Sequence, residues 1–507
     1  MTRPSPRTIA TATALAMATA LGTGGWIWFH RQANHELVEA LEDARAHLPS
    51  DVTLTWGKAT AQPASHGARL TDVVLQEGDL TISAAALEIV GATLGPDRGT
   101  GVSPSAANSP LHCDHVVAYT LRVGSPHGQF EAHRMSLDGL TLPAPSDDQL
   151  AGLVLDHGEL HDASLGLPVR QVAMAAKKLD LDQYGGGRFA RVSGHGLTAR
   201  SEAPLTRELA VSEAFLDGVD LASVFADELA GHVSTPRDGT RSFRMEGVLL
   251  KGQTVATDPA LQPLMAVGKG HAYQSIANQK ARMTISLDHV RLWPVLSFLQ
   301  LFTHDRVDGA VVANAIIDYE QAVTHVTQLD VHVHDWGRLD LAGDFTSGAR
   351  NLSWLPPLEQ FTHLDMSWRD AGLVPRLLSN AAVKQGMDPD AYVALLSRSL
   401  APAGAAANGA GVQLAHYLND PSAGPLTATL APSTALPVSS LLELKALPFH
   451  PEIAGKFGLS LRAPVGANSR PLPDTEPDDP NMTTDEPVDP EVLAPADPPA
   501  PPAGAEH

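Results

Sequence analysis

Residues 117–130, Val117-Ala-Tyr119-Thr-Leu121-Arg-Val123-Gly-Ser-Pro-His-Gly128-Gln-Phe130, decide the fold class. Val117, Tyr119, Leu121 and Val123 alternate with small or polar partners, the period of a strand that buries one face. Gly124 to Gly128 carries the Gly, Ser and Pro of a turn, and a second strand starts near Phe130. Two such runs around a turn make an antiparallel hairpin. The period returns where Val52, Leu54 and Trp56 alternate with Asp51, Thr53 and Thr55. It returns again where Leu329, Val331 and Val333 alternate with Asp330, His332 and His334. Leu339-Leu341 and Leu364-Met366-Trp368 continue it. Residues 51–370 therefore read as one antiparallel β-rich domain.

A loose phrase recurs inside that region: an apolar residue, two polar or small ones, then a short apolar pattern. It occurs as Leu70-Thr-Asp-Val-Val-Leu75, Leu137-Asp-Gly-Leu-Thr-Leu142 and Leu160-His-Asp-Ala-Ser-Leu165. It returns as Leu216-Asp-Gly-Val-Asp-Leu221, Met245-Glu-Gly-Val-Leu-Leu250 and Leu287-Asp-His-Val-Arg-Leu292. The spacing is irregular, which excludes a solenoid of fixed period. Either each phrase marks a strand kinked or bulged at its Asp or Gly, or the phrases are ordinary meander grammar.

Helical patterns flank the strands. Leu37, Val38, Leu41, Ala44 and Leu48 recur at helical spacing against Glu36, Glu39, Glu42 and Asp43, so residues 32–50 read as an amphipathic stalk helix ended by Pro49. A helical and β C-terminal subdomain spans 371–465. Asp388-Pro389 opens a helix there with Val393, Leu396 and Leu400 inward. Val412–Leu418 and Pro437–Leu444 read as further helices, Leu426-Ala428-Leu430 and Phe457-Leu459-Leu461 as strands. The acidic, Pro-rich composition of residues 466–507 reads as a disordered tail.

Before the stalk, Thr8–Phe29 carries no charge and approaches the ~20 residues a membrane-spanning helix needs. Trp26, Trp28 and Phe29 close it, as aromatics do at the headgroup level. Residues 1–31 therefore read as an N-terminal transmembrane helix; the rival reading is a signal peptide cut after Ala18-Thr19-Ala20. Arg3 and Arg7 put the short N-terminus in the cytoplasm and the rest of the chain in the periplasm. The expected localisation is single-pass in the inner membrane. The net charge is −22, and ten acidic residues without Lys or Arg fall in Pro471–His507, leaving −12 on the remainder. Such a body repels phosphate backbones, so no nucleic-acid partner is expected. The single cysteine, Cys113, excludes an internal disulfide.

Three clusters carry residue types of chemical interest. His157, Glu159 and His161 share one strand face, as do Asp330, His332 and His334; imidazole and carboxylate on one face are what a zinc site needs. His112-Cys113-Asp114-His115 is the third. With 22 histidines in the chain, a solvated strand face explains both ladders, and no metal or other cofactor is expected. Gly185-Gly186-Gly187 has no helical pattern after it to make a phosphate cradle. The HExxH, P-loop and Gly-x-Ser-x-Gly patterns are missing, so no catalytic residue is assigned and the expected role is non-enzymatic.

An N-terminal anchor followed by the phrases Leu137-Asp-Gly-Leu-Thr-Leu142 and Leu216-Asp-Gly-Val-Asp-Leu221 resembles AsmA-like envelope proteins. Trp368-Arg-Asp-Ala-Gly-Leu-Val-Pro-Arg-Leu-Leu378, continuing through Ala381 to Leu396, is similar to a segment of uncharacterised proteobacterial envelope proteins. The resemblance spans residues 8–465 and implies a curved antiparallel sheet with an apolar groove, and a role in lipid transport or outer-membrane homeostasis. Acyl chains gain ~0.8 kcal/mol per buried CH₂ in such a groove, although alternation fits a closed core equally. Three functions follow: a periplasmic lipid-binding protein, a structural module whose tail and helices engage another envelope protein, and a metal-dependent periplasmic hydrolase built on a histidine ladder.

Overall fold

The structure is a computed structural model that describes residues 30–46, 48, 51–62, 65–94, 110–143, 152–202, 205–230, 237–253, 260–294, 306–347, 358–406, 409–446 and 452–464. The expected anchor with Trp26, Trp28 and Phe29, the 95–109 segment and the acidic tail lie outside these residues. No helix among the described residues is long and apolar enough to cross a membrane.

The chain folds as mostly β structure with a few helices. β1 (Val52–Thr55) and β2 (Ala59–Gln62) lie end to end on one edge of β3 (Gly67–Glu77), and β4 (Leu80–Val90) on the other. β4 and β5 (Thr93–Leu94) share an edge of β6 (Leu111–Ser125). Each strand then pairs antiparallel with the next. The order is β7 (Gly128–Leu142), β8 (Leu155–Leu167), β9 (Val172–Tyr184), β10 (Ala190–Ser201), β11 (Arg207–Val219) and β12 (Gly239–Gly252). It continues through β13 (Gln262–Ala277), β14 (Lys280–Leu292), β15 (Val307–Asp318), β16 (Val323–Val333), β17 (Gly337–Ser347) and β18 (Leu358–Asp370). β19 (Leu426–Leu430) and β20 (Leu436–Pro437) take the far edge of β18, and β21 (Leu459–Arg462) closes on β19. The whole is one 21-stranded antiparallel sheet. Among the described residues no ladder joins its first and last strands. The hairpin read from residues 117–130 is β6–β7, with Ser125 opposite Gly128.

The six recurrent phrases have one conformation in common. The third residue of each is left-handed: Asp72 (φ 50°), Gly139 (62°), Asp162 (47°), Gly218 (80°), Gly247 (62°) and His289 (54°). Glycine is required where space is least: a Cβ at Gly139 would meet the Asp156 side chain, and one at Gly218 the Thr240 carbonyl. The conformation explains the phrase. In Leu160-Ala163-Leu165 the apolar residues step by three and then two, which an ideal pleat would send to opposite faces. One left-handed residue absorbs the odd step and returns them to the same face. Neighbouring strands absorb it together, so pairing resumes one to one: Arg134 opposes His161 and Ala132 opposes Ala163, either side of Asp162. At β14 the step is a true bulge, Asp288 and His289 standing against Ala310.

The left-handed residues align in two lines across the sheet. One holds Asp72, Thr120, Asp162, Gly196, Gly247 and His289; the other holds Gly91, Gly139, Gln183 and Gly218. On β7 and β11 the lines pass through His133 and Gly139 and through Ser212 and Gly218, six residues or about 20 Å apart.

Helices cover the two ends of one face. α1 (His30–Ala46) buries Leu37 and Leu41 on Ala68 and Leu70, and its Asn34 Oδ1 accepts the Ala61 N–H at 2.6 Å. The expected stalk is thus a helix laid on the sheet, because its apolar stripe finds β2 and β3. α2 (Leu221–Ala230) follows β11 and is capped by Asp220, which accepts the Ser223 N–H at 3.0 Å. At the far end stand α3 (Leu373–Lys384), α4 (Pro389–Ala406), α5 (Ala410–Asn419) and α6 (Glu452–Phe457). Ala410, Ala454 and Phe457 pack onto Phe345, Phe361, Leu364 and Leu430, with the Phe361 and Phe457 rings stacked at 6.2 Å.

Asp388 caps α4 as expected, its Oδ1 accepting the Asp390 N–H at 2.9 Å. Among the described side chains of that helix Ser397 is buried, its Oγ accepting from Asn419 of α5 at 3.1 Å, while Val393, Leu396 and Leu400 are half-buried. Phe457 ends a helix instead of starting a strand: left-handed Gly458 (φ 56°) stops α6 and β21 begins one residue later. The helix expected from Pro437 is a run of 3₁₀ turns, Val438–Ala446.

Candidate functional site

Reading residues across the ladders shows that the sheet has one apolar and one polar face. An apolar row begins Ala61, Ala68, Ile89, Val116, Leu137, Gly158, Leu181, Val192 and Leu216, from β2 to β11. It continues Phe243, Ala272, Ile285, Ala313, Leu329, Leu341, Met366, Ala428 and Leu461, from β12 to β21. No polar side chain interrupts it. At ~4.8 Å per strand its contour is about 80 Å. A second unbroken row runs parallel, through Leu70, Leu160, Ala214, Val311 and Trp368 among others. Across the first line of left-handed residues lies a third, from Leu54 through Phe130, Met174, Leu209 and Met265 to Val307.

Cover over these rows is uneven. α1 packs on the first strands, Leu221 and Ala222 of α2 pack with Ile89, Val116, Leu137 and Leu181 of the first row, and the C-terminal helices pack on Leu341, Met366, Ala428 and Leu461. Between α2 and the C-terminal helices Ala272 is buried, while Leu216, Phe243, Ile285, Ala313 and Leu329 are only half-buried. A groove of about 410 Å³ lies there, lined by Phe130, Leu165, Met174, Leu179, Leu209 and Val211. Met174 remains 44% and Leu209 37% exposed. Apolar surface left open in a row is the arrangement that binds apolar ligands or partners.

The opposite face is charged. Its central row is His115, Asp138, His157, Asp182, Arg191 and Asp217, alternating base and acid across β6 to β11. His115 Nδ1 pairs with Asp138, His157 Nδ1 lies 2.6 Å from Asp182 Oδ1, and Arg191 lies 3.6 Å from Asp217. The row continues with Thr284 donating to Asn314 at 2.9 Å and Asn314 to Gln328 at 3.1 Å. The bond to Asp182 holds the His157 imidazole above its ordinary pKa.

The histidine ladders belong to this polar face. His161 Nε2 and Lys178 Nζ both contact Glu159, at 3.1 and 2.7 Å, so the carboxylate is already neutralised, and Lys178 holds its pKa below the usual range. Asp330 pairs with Arg338 at 2.8 Å, His334 lies past the end of β16 beside Asp335, and His332 lines a shallow cavity with Arg338 and Arg369. Among the described residues no group of three or more His, Cys, Asp or Glu could hold a metal ion. Cys113 is buried, and burial beside Asp114 pushes its thiol up to about 11.

Sequence reasoning missed a second cavity of about 210 Å³ at the rim of the apolar face. Phe189, Asp220, Ser223, Asp227, Arg237 and Arg241 line it. Asp220 is buried and saturated, accepting from the Gly187 N–H, the Ser223 hydroxyl and Arg237. Arg241 precedes Phe243 by two positions on β12 and therefore shares its face. Among the described residues no carboxylate lies within ion-pair distance of Arg241, and burial lowers its pKa. An arginine in an otherwise apolar phase was the available signal.

A family model described as an uncharacterized protein matches residues 330–463, from the end of β16 through β21. No match is found among curated proteins.

Proposed function

We propose that this is a non-enzymatic, membrane-tethered periplasmic protein of AsmA-like kind that binds lipid acyl chains on its apolar face. The observation that carries the reading is the unbroken apolar row from Ala61 to Leu461, of which Leu216, Phe243, Ile285, Ala313 and Leu329 are left half-buried between α2 and the C-terminal helices. A closed core would bury that row under a second layer. The two lines of left-handed residues support the curvature expected of an AsmA-like sheet, because an irregular residue in a strand goes with a local bend. The apolar run Thr8–Phe29 and a helix that starts at His30 support a tether at the first-strand end. A chain lying on the face gains ~0.8 kcal/mol per buried CH₂.

The test is native mass spectrometry of the full chain extracted from membranes. Lipid adducts are expected, and Leu209→Glu with Met174→Glu should remove most of them while leaving the circular dichroism unchanged. Wild-type protein that carries no lipid and binds no fluorescent acyl probe would overturn the reading. A second reading, a module that engages another envelope protein, is favoured by Val383 and Leu442, each 72% exposed on the C-terminal subdomain. Crosslinks confined to that subdomain, with no lipid bound, would select it.

A further inference from the structure

Charge is scarce on the apolar face, which makes Arg241 informative. Its row runs Arg241, Gln274, Met283, Ala315, Val326, Gly343 and Leu364. Gln274, next in the row, is satisfied: it is buried and donates to the Tyr319 hydroxyl at 2.8 Å. Arg241 lies within electrostatic reach of the same Tyr319 but makes no hydrogen bond or ion pair among the described residues, and it is partly removed from water. A guanidinium in that setting is stabilised by an anion, above all one with two oxygens for its fork of donors.

The cavity that Arg241 lines is balanced in charge. Arg237 is taken by Asp220, inside the saturated cap of α2. That leaves Arg241 and Asp227 facing one cavity without an ion-pair partner among the described residues, one cationic and one anionic. A purely anionic ligand would meet Asp227, and a purely cationic one Arg241. A ligand carrying both charges satisfies both. Phe189, Val219 and Val224 supply the apolar remainder of the lining, and Phe243 of the apolar row stands two residues from Arg241.

The geometry points to this cavity as a headgroup site for a zwitterionic amphiphile: Arg241 takes its phosphate, Asp227 takes its ammonium, and the acyl chain leaves along the apolar face from Phe243. The inference rests on the lipid-binding reading above and names the ligand class and the place where it is held. It also assigns direction, because the head is fixed at β11–β12 while the chain lies across the sheet.

The experiment is calorimetric titration of the full chain with single-chain probes below their micellar concentration. The probes are lauroyl lysophosphatidylethanolamine, lauroyl lysophosphatidylglycerol, dodecylamine and chain-free phosphoethanolamine. The zwitterionic lysolipid is expected to bind tightest, and phosphoethanolamine at least a hundredfold more weakly. Arg241→Gln should weaken both lysolipids at least tenfold. Asp227→Asn should weaken the ethanolamine lysolipid alone, narrowing or reversing its preference over the glycerol one. Both side chains lack ion-pair partners among the described residues, so melting temperatures should hold, which keeps the comparison clean. If the lysolipids bind but both variants bind them as wild type does, the headgroup site is wrong and the apolar-face reading survives. If phosphoethanolamine binds as tightly as the lysolipid, the site serves a soluble compound and the amphiphile assignment fails. If no chain-bearing probe binds wild type, both fail together.

Discussion

Single residues hold this sheet in phase, and their backbone angles can be tested. Thr120 is β-branched, exposed and left-handed at φ 51°. That conformation costs an L-residue roughly 1–2 kcal/mol, so Thr120→Gly is expected to raise stability by about 1 kcal/mol in urea unfolding. Gly139→Ala is the opposite case: the new Cβ meets the Asp156 side chain, and a loss of about 2 kcal/mol or more is expected. The polar face offers a titration. The Asp182 bond raises the His157 pKa above the ordinary ~6.5. Its stabilising contribution is therefore complete below ~6.5 and lost as pH rises through the folded value. The side chain is 40% exposed, so water screens the effect and the change in overall stability is small. The direct readout is the imidazole NMR titration, whose midpoint should fall in Asp182→Asn. Cys113 should resist a maleimide at neutral pH until the chain unfolds, since its thiol is buried and titrates at about 11.

At the scale of elements, the caps at each end of the apolar face were partly legible. The helical periods at 32–48 and 371–444 are plain in the sequence, and Asp388 before Pro389 marks the start of α4 correctly. Their placement was not legible, because an amphipathic stripe states that a face is buried without naming its partner. The pattern of α1 fits a free-standing stalk as well; Leu37 and Leu41 instead find Ala68 and Leu70. The small side chains of Ala59, Ala61 and Ala68 let the helix approach. The C-terminal cap hangs on aromatic packing. Phe361 and Phe457 are fully buried and stacked, so Phe457→Ala should cost about 3–5 kcal/mol locally. Hydrogen exchange would show that loss in β18 to β21 and not in β6 to β11; uniform loss across the sheet would contradict it.

For the whole molecule, nearly every ladder joins strands that are neighbours in sequence, from β6 through β18. A structure built this way is close to one-dimensional, with each strand stabilised by the two beside it. Unfolding is expected to be broad and separable: fluorescence of the seven tryptophans, four of which (Trp293, Trp336, Trp354 and Trp368) follow β14 in sequence, should not coincide with far-ultraviolet circular dichroism, which reports all the strands. One coincident transition would argue against it. The sequence alone determined that the chain makes many antiparallel strands, because alternation is a local property of the backbone, and it offered kinks at Asp or Gly as one of two readings of the recurrent phrase. It also bounded the charge and the candidate ladders, whose histidines sit on the polar face. It could not say that successive left-handed residues fall in register. That depends on which residue of each strand faces which residue of the next, and one shift would scatter the apolar rows. Whether the apolar face stays open, and whether Arg241 meets Asp227 across one cavity, were likewise decided by tertiary structure. Both depend on the cover a face receives from distant parts of the chain, which no local pattern encodes.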